Sequence, residues 1–261
     1  MRRIARIYYE FMRSALIREM EFRANFFAKV MRNVMWIGFF IMILAVIYGN
    51  TESVAGWGRA DALMLAATVF VMNSLVNACF FGLYEIPSMV RLGSLDFVVT
   101  KPVDSQFWVS CRKFNFDEVG TLLAGLIMIG VAVRSGDLNP SVAQWAGYVV
   151  LVLASTALYY AFCLMLMTTG IWLVRVDNLW VLGENVLQVA RFPLDMYQPA
   201  LQRLFLYALP LGFIATVPAR QLIRGFDPVM VGLGVIWALA ALAISRAFWR
   251  FAMRHYTSAS S

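Results

Sequence analysis

Long runs of uncharged, mostly apolar residues alternate along the chain with shorter polar intervals. The first run extends from about Val30 to Tyr48, and the polar stretch Gly49 to Arg59 follows it; the second covers about Asp61 to Tyr84. A third spans about Phe116 to Val133, the turn Ser135-Gly136-Asp137-Leu138-Asn139-Pro140 reverses the chain, and a fourth covers about Ala143 to Val174. The fifth, about Leu204 to Val217, is short and contains Pro210, which removes a backbone donor and predicts a kink. Pro218 then interrupts the pattern. Ala219 to Gly225 reads as a small amphipathic piece carrying Arg220 and Arg224, and a sixth run covers about Pro228 to Phe248. Runs of about 17–25 residues are long enough to cross roughly 30 Å of hydrocarbon at about 1.5 Å per residue. In lipid each backbone polar group needs a partner within its own segment or a closed barrel, and these runs do not alternate as barrel strands do. The pattern predicts an all-α integral membrane protein with six transmembrane helices.

The intervals between runs have patterns of their own. In residues 1–24, Ile4, Ile7, Tyr8, Phe11, Met12 and Ala15 fall on one helical face while Arg2, Arg3, Arg6, Glu10 and Arg13 occupy the rest. That is an amphipathic interfacial helix, or elbow, packed at a membrane edge with its arginines at lipid phosphates. Residues 25–261 then form one transmembrane domain. The longest hydrophilic interval, between Glu85 and Asn115, includes a short amphipathic helix with Pro87 in its first turn and Gly93 as its stop. Its two readings are a solvated loop and a rigid knob that fits a partner. Residues 175–203, with three basic and three acidic residues, read as a cytoplasmic connection containing a short helix, about Leu179 to Val189. An irregular, proline-interrupted segment at membrane depth is tolerated only where protein or a cavity surrounds it, which makes residues 210–226, with Pro210, Pro218, Arg220 and Arg224, a candidate re-entrant element or outer gate.

Composition agrees with the pattern: 61% of the 261 residues are hydrophobic and 14% charged, against about 45–50% and about 25% in soluble domains. The net charge of +7 does not point to nucleic acid, because the basic residues cluster at membrane edges. Eight lie in 1–32, four in 85–115, three in 175–203 and three in 246–254, leaving four of the 22 for the outer loops. This bias places both termini in the cytoplasm. No cleaved signal is expected, because the first long apolar run begins only near Val30. Tyr48, Trp57, Trp145, Tyr148, Trp180 and Trp249 fall near span edges, as interfacial aromatics do. Cys79, Cys111 and Cys163 have neither metal-ligand nor disulfide spacing and read as reduced packing residues.

Several chemistries are missing. Ala28, Thr100 and Arg112 precede the three lysines, so no Walker A loop is present, and a single histidine, His255, excludes H-E-x-x-H. Every acidic residue falls in a predicted loop or near a span edge, Asp117 and Glu118 being the nearest to an exception, which disfavours an ion-coupled carrier. A membrane-embedded enzyme acting on lipids would show clustered Asp, His or Ser residues at one edge, and no such cluster stands out. Neither metal nor cofactor is expected. Energy for uphill transport would come from another polypeptide.

The elbow, six spans, the helix between spans two and three and the broken segment before the last span together resemble the permease subunit of a bacterial type 2 ABC exporter. The resemblance covers the whole chain and is sharpest at Arg91-Leu92-Gly93-Ser94-Leu95-Asp96 through Lys101-Pro102, which is similar to the R-x-G-x-L-D and basic-Pro pair of a branch of paired permeases that includes viologen exporters, and at the closing Tyr256-Thr257-Ser258-Ala259-Ser260-Ser261. Ser94 stands where acidic residues are common in that branch. The resemblance implies a bacterial inner-membrane protein, ATP bound by separate ATPase subunits, and a second permease as homodimer or paralogous heterodimer. It makes the 85–104 loop the ATPase-coupling element, with Glu85, Pro87, Arg91, Leu92, Gly93, Asp96, Lys101 and Pro102 as its candidate residues.

Overall fold

The computed structural model describes residues 2–21, 23–173 and 179–256, so residues 257–261 of the closing motif lie outside the described residues. Among these there is no β-strand, only an isolated bridge between Val54 and Trp57. In chain order come α1 (Arg2–Glu21), α2 (Arg23–Asn50), α3 (Arg59–Phe80), α4 (Ile86–Arg91), α5 (Asp96–Val99), α6 (Ser105–Cys111), α7 (Glu118–Ser135), α8 (Val142–Thr168), α9 (Leu179–Ala190), α10 (Pro199–Arg203), α11 (Thr216–Ile223) and α12 (Pro228–Arg254). Five helical stretches, 27–50, 59–91, 118–135, 142–171 and 228–254, are long and apolar enough to cross a membrane. They coincide with the first, second, third, fourth and sixth apolar runs.

Local sequence explains where these helices begin. Ser141 caps α8 by accepting from the Gln144 N–H while the Gln144 side chain accepts from the Ser141 N–H, a reciprocal capping box. Asp227 caps α12 by accepting from the N–H groups of Val229 and Met230, with Pro228 in the first turn, where its missing donor costs nothing. Between α7 and α8 the chain reverses through Asp137 at φ 49°.

Side-chain contacts fix the helix directions. Phe40 meets Phe70, and the Tyr48 hydroxyl donates to the Trp57 carbonyl, so α2 and α3 are antiparallel. A Cβ on Gly125 would lie 2.9 Å from Val71, and one on Gly136 3.0 Å from Ala60, so α7 runs antiparallel to α3 at small-residue approaches. Thr68 meets Tyr148 and Phe80 meets Tyr160, so α8 is parallel to α3; Gly147 meets Val231 and Leu151 meets Gly234, so α12 is parallel to α8. The bundle therefore has an α1 end, where α2 and α7 begin, and a far end, where α3, α8 and α12 begin. Outward-facing Met35, Phe39, Leu126, Ile127, Ile236 and Leu239 are exposed, as lipid solvation requires.

Because α8 and α12 are parallel, the chain between them must return to the far end. The sequence assigns this return to Leu204–Val217, and the structure differs. α9 packs on the second half of α8, toward the α1 end, where Gly183 lies against Tyr159, Cys163 and Leu166. By residue 195 the chain has arrived at the far end, where Asp195 accepts a hydrogen bond from Trp57 Nε1 (2.7 Å). With 12 residues, α9 rises only about 18 Å, and the stretch through Asp195 completes the return. Residues 179–203 are therefore not a connection confined to one end of the bundle, as the reading of 175–203 as a cytoplasmic loop requires; residues 175–178 lie outside the described residues. A hairpin then enters from the far end: α10 runs into a π turn at Leu204–Ala208, the chain reverses at Leu209-Pro210, and it climbs back through Leu211–Phe213 into α11. At its tip, the Phe213 carbonyl lies 2.5 Å from the hydroxyl of Ser155, halfway along α8. Leu204–Val217 is a re-entrant arm and not a continuous span, since the break at Pro210 leaves no helix long enough to cross.

Two smaller expectations also change. Pro218 does not interrupt a helix; it sits in the first turn of α11, where its missing N–H has no intrahelical acceptor to lose. Trp57, Tyr148 and Trp249 are not interfacial aromatics but core residues, 1%, 4% and 1% exposed, because each polar tip has a partner: Asp195, Thr68 and Ser105. Cys79, Cys111 and Cys163 are free.

Candidate functional site

The candidate coupling segment, 85–104, is a folded unit anchored to the bundle. Glu85 accepts from both Arg112 and Lys113, which ties the start of α4 to the end of α6. Pro87 occupies the first turn of α4 and packs against Gly170, and Gly93, at φ 66°, ends the helix in a conformation that favours glycine. Ile86, Met89, Leu95 and Val98 are buried against the α8 end. Lys101 lies over the Trp108 ring at 4.1 Å. Asp104 caps α6 through the Phe107 N–H and pairs with Arg246 of α12, while Trp249 Nε1 donates to Ser105 Oγ (3.1 Å). The Arg246 hydrogen bond outweighs burial and holds the Asp104 carboxyl below the usual carboxylate range. The anchoring leaves an exposed tip of Arg91, Leu92, Phe97, Val99, Lys101 and Pro102, with Asp96 in the first turn of α5 beside it. Arg91 and Asp96 are thus brought to one tip, Glu85 to its base.

Of the four candidate gate residues, Pro210 makes the hairpin turn and Pro218 begins α11, whereas Arg220 and Arg224 converge on Asp195. Arg220 reaches both Asp195 oxygens at 2.6 Å, and Arg224 lies 4.0 Å away with its guanidinium over Trp57. Burial opposes ionisation of Asp195, but the Arg220 and Trp57 hydrogen bonds and the Arg224 charge outweigh it and hold the carboxyl below its ordinary range. This latch joins the α2–α3 turn, the end of the return and α11. Asp195→Asn is expected to destabilise the far end by about 1–3 kcal/mol, the scale of a charged hydrogen bond, read as a lower melting midpoint. The pH sign follows from the depressed pKa: the contribution is present above the unfolded aspartate value of about 3.9 and is lost as pH falls through the folded value. The destabilising effect of Asp195→Asn should therefore vanish in acid.

A polar cavity of about 950 Å³, which sequence reasoning missed, opens between α1, α2, α3, the start of α7 and α9. Trp180, Val181, Glu184, Asn185 and Gln188 line it from one face of α9, with Arg191 just past the helix end, while Leu179, Gly183, Leu187 and Ala190 are buried on the other. On α3, Asn77 donates to Asn73 (3.0 Å) and receives from the Tyr84 hydroxyl (3.0 Å). Lys29 of α2 bridges Asp117 (2.9 Å) and Glu19 of α1 (3.3 Å), and Asn33 donates to Thr121. Glu184 faces the cavity from a helix inside the bundle, which corrects the expectation that acidic residues stay at edges. The only signal in the sequence was the α9 stripe of polar residues at helical spacing.

A family model described as "ABC-2 family transporter protein" matches residues 34–260. Comparison with curated proteins and with solved structures returned no match.

Proposed function

Because the chain belongs to the ABC-2 family of transporter proteins, we propose that it is the permease subunit of a bacterial ATP-binding cassette exporter, driven by separate ATPase subunits and completed by a second permease copy or paralogue. The observation that carries the reading is the polar cavity. Lipid cannot solvate the α9 stripe, whereas a path for a polar solute needs such a lining. We assign the cavity to one half of the translocation path. The 85–104 tip docks the ATPase, and its anchors to the end of α6, to α8 and to α12 would pass a rigid-body shift into the bundle. The far-end latch of Asp195, Arg220 and Trp57 is the outer gate.

In this reading the chain makes six crossings, the fifth by α9 and the stretch to Asp195, and its α1 end faces the cytoplasm of the inner membrane. Arg191 lines the cavity and Arg203 follows the far-end Asp195. The basic residues in 1–32, 85–115 and 246–254 still outnumber Arg59, Arg134, Arg203, Arg220 and Arg224. Single cysteines at Thr51, Asn139 and Phe226 are expected to react with an impermeant thiol reagent on intact cells, and one at Ser94 only after permeabilisation. The reverse pattern would reject the orientation. ATP hydrolysis by the reconstituted ATPase is expected to rise when this chain and its partner permease are present; an unchanged rate would reject the assignment as a permease.

A further inference from the structure

We infer that the cavity binds a zwitterion, its ammonium at Asp117 and its anionic group at Arg191; the inference rests on the cavity being part of the solute path. Two buried polar atoms in its wall have no partner among the described residues, and they are of opposite sense. Asp117 is 3% exposed, its Oδ2 is held by Lys29, and its Oδ1 accepts nothing from those residues. Arg191 sits with its guanidinium 5.8 Å from the Trp36 ring centre, and its Nε donates to nothing among them. A buried donor or acceptor left unmet is costly, so both sites favour a ligand that meets them.

The charge of the wall selects between ligand classes. The lining holds four carboxyls, Glu19, Asp117, Glu118 and Glu184, and four basic groups, Lys29, Arg32, Lys113 and Arg191, so it offers groups for an ammonium and for an anion alike. A zwitterion engages both kinds of group at once, whereas a lone cation or anion engages only one. Phe114 and Tyr84 supply ring surface on which an ammonium can rest. At about 950 Å³ the cavity is large enough for a phospholipid headgroup with part of its chains or for a free amino-phosphate or amino acid. The recognised chemistry, an ammonium and an anionic oxygen in one molecule, is common to both sources.

The test is binding to the purified full chain without any ATPase. Calorimetric titration with O-phosphoethanolamine is compared with ethylamine and with methyl phosphate, which each carry one of its charges. Native mass spectrometry from mixed vesicles compares phosphatidylethanolamine with phosphatidylglycerol. Binding of O-phosphoethanolamine at least tenfold tighter than either single-charge probe supports a soluble zwitterion, and preferential retention of phosphatidylethanolamine supports the lipid. In either case Asp117→Asn and Arg191→Gln should each weaken binding about tenfold or more. Equal binding of the single-charge probes, absence of both zwitterions, or two folded variants that bind normally overturns the inference. Should Asp117→Asn unfold through loss of the Lys29 pair, Arg191→Gln and the probe series on the unaltered chain decide. ATPase stimulation is read separately, so a failed zwitterion test leaves the permease assignment standing, and a failed stimulation test leaves the binding result intact.

Discussion

Gly82→Ala is expected to unseat the coupling segment, lowering stability by about 3 kcal/mol or more. Gly82 lies in the turn that joins α3 to α4, and a Cβ there would stand 2.3 Å from the Val109 carbonyl oxygen and 3.2 Å from that of Ser110. Both atoms belong to the α6 backbone and cannot rotate away, so α6 would have to move, and with it the partners of Glu85 at Arg112 and Lys113. Gly212→Ala makes a useful contrast, because the nearest atom there is the Leu194 Cδ1 of a side chain that can repack. Gly38→Ala, with nothing within 4 Å, is the neutral control. Melting midpoints of the three purified variants check the ranking, and a Gly82→Ala protein that melts with the unsubstituted chain would show that α6 is not held as tightly as the geometry requires.

Much of the fold was legible in the sequence because its determinants are local. Five of the six apolar runs became long helices, and Pro87 with Gly93 marks both ends of α4, since a missing donor and a positive φ act within one turn. The misreadings concern residues whose partners are distant in sequence. Asp195 and Trp57, 138 residues apart, meet at the far end, and nothing near either position says so. Without that contact, the charges in 175–203 resemble those of a solvated loop, whereas Glu184 and Arg191 face a polar cavity inside the bundle. The same blindness applies to Asp117, which reads as a span-edge aspartate and is a buried wall residue paired with Lys29. Local pattern specifies which segments enter lipid; it does not specify which polar residues those segments enclose together.

With the 85–104 tip proposed as the ATPase dock, Phe97→Asp is expected to weaken that complex by about thirtyfold, the equivalent of about 2 kcal/mol at an interface hot spot. Phe97 is 72% and Leu92 75% exposed beside half-exposed Val99, while Ile86, Met89, Leu95 and Val98 beneath them are buried. Since the inner face already supplies the packing, the outer apolar residues add nothing to the fold, and replacing one should alter stability by no more than about 0.5 kcal/mol. Arg91 and Lys101 border this tip as rim charges, which steer encounter more than they hold the complex. Arg91→Ala should therefore lower the association rate and its salt dependence with a smaller loss of affinity than Phe97→Asp. Proteoliposomes carrying each variant, incubated with the ATPase and sedimented, measure the bound fraction while surface labelling confirms insertion. An apolar tip that instead rests on the bilayer surface would leave ATPase binding by inserted Phe97→Asp at the unsubstituted level, and that result would remove the tip from the coupling interface.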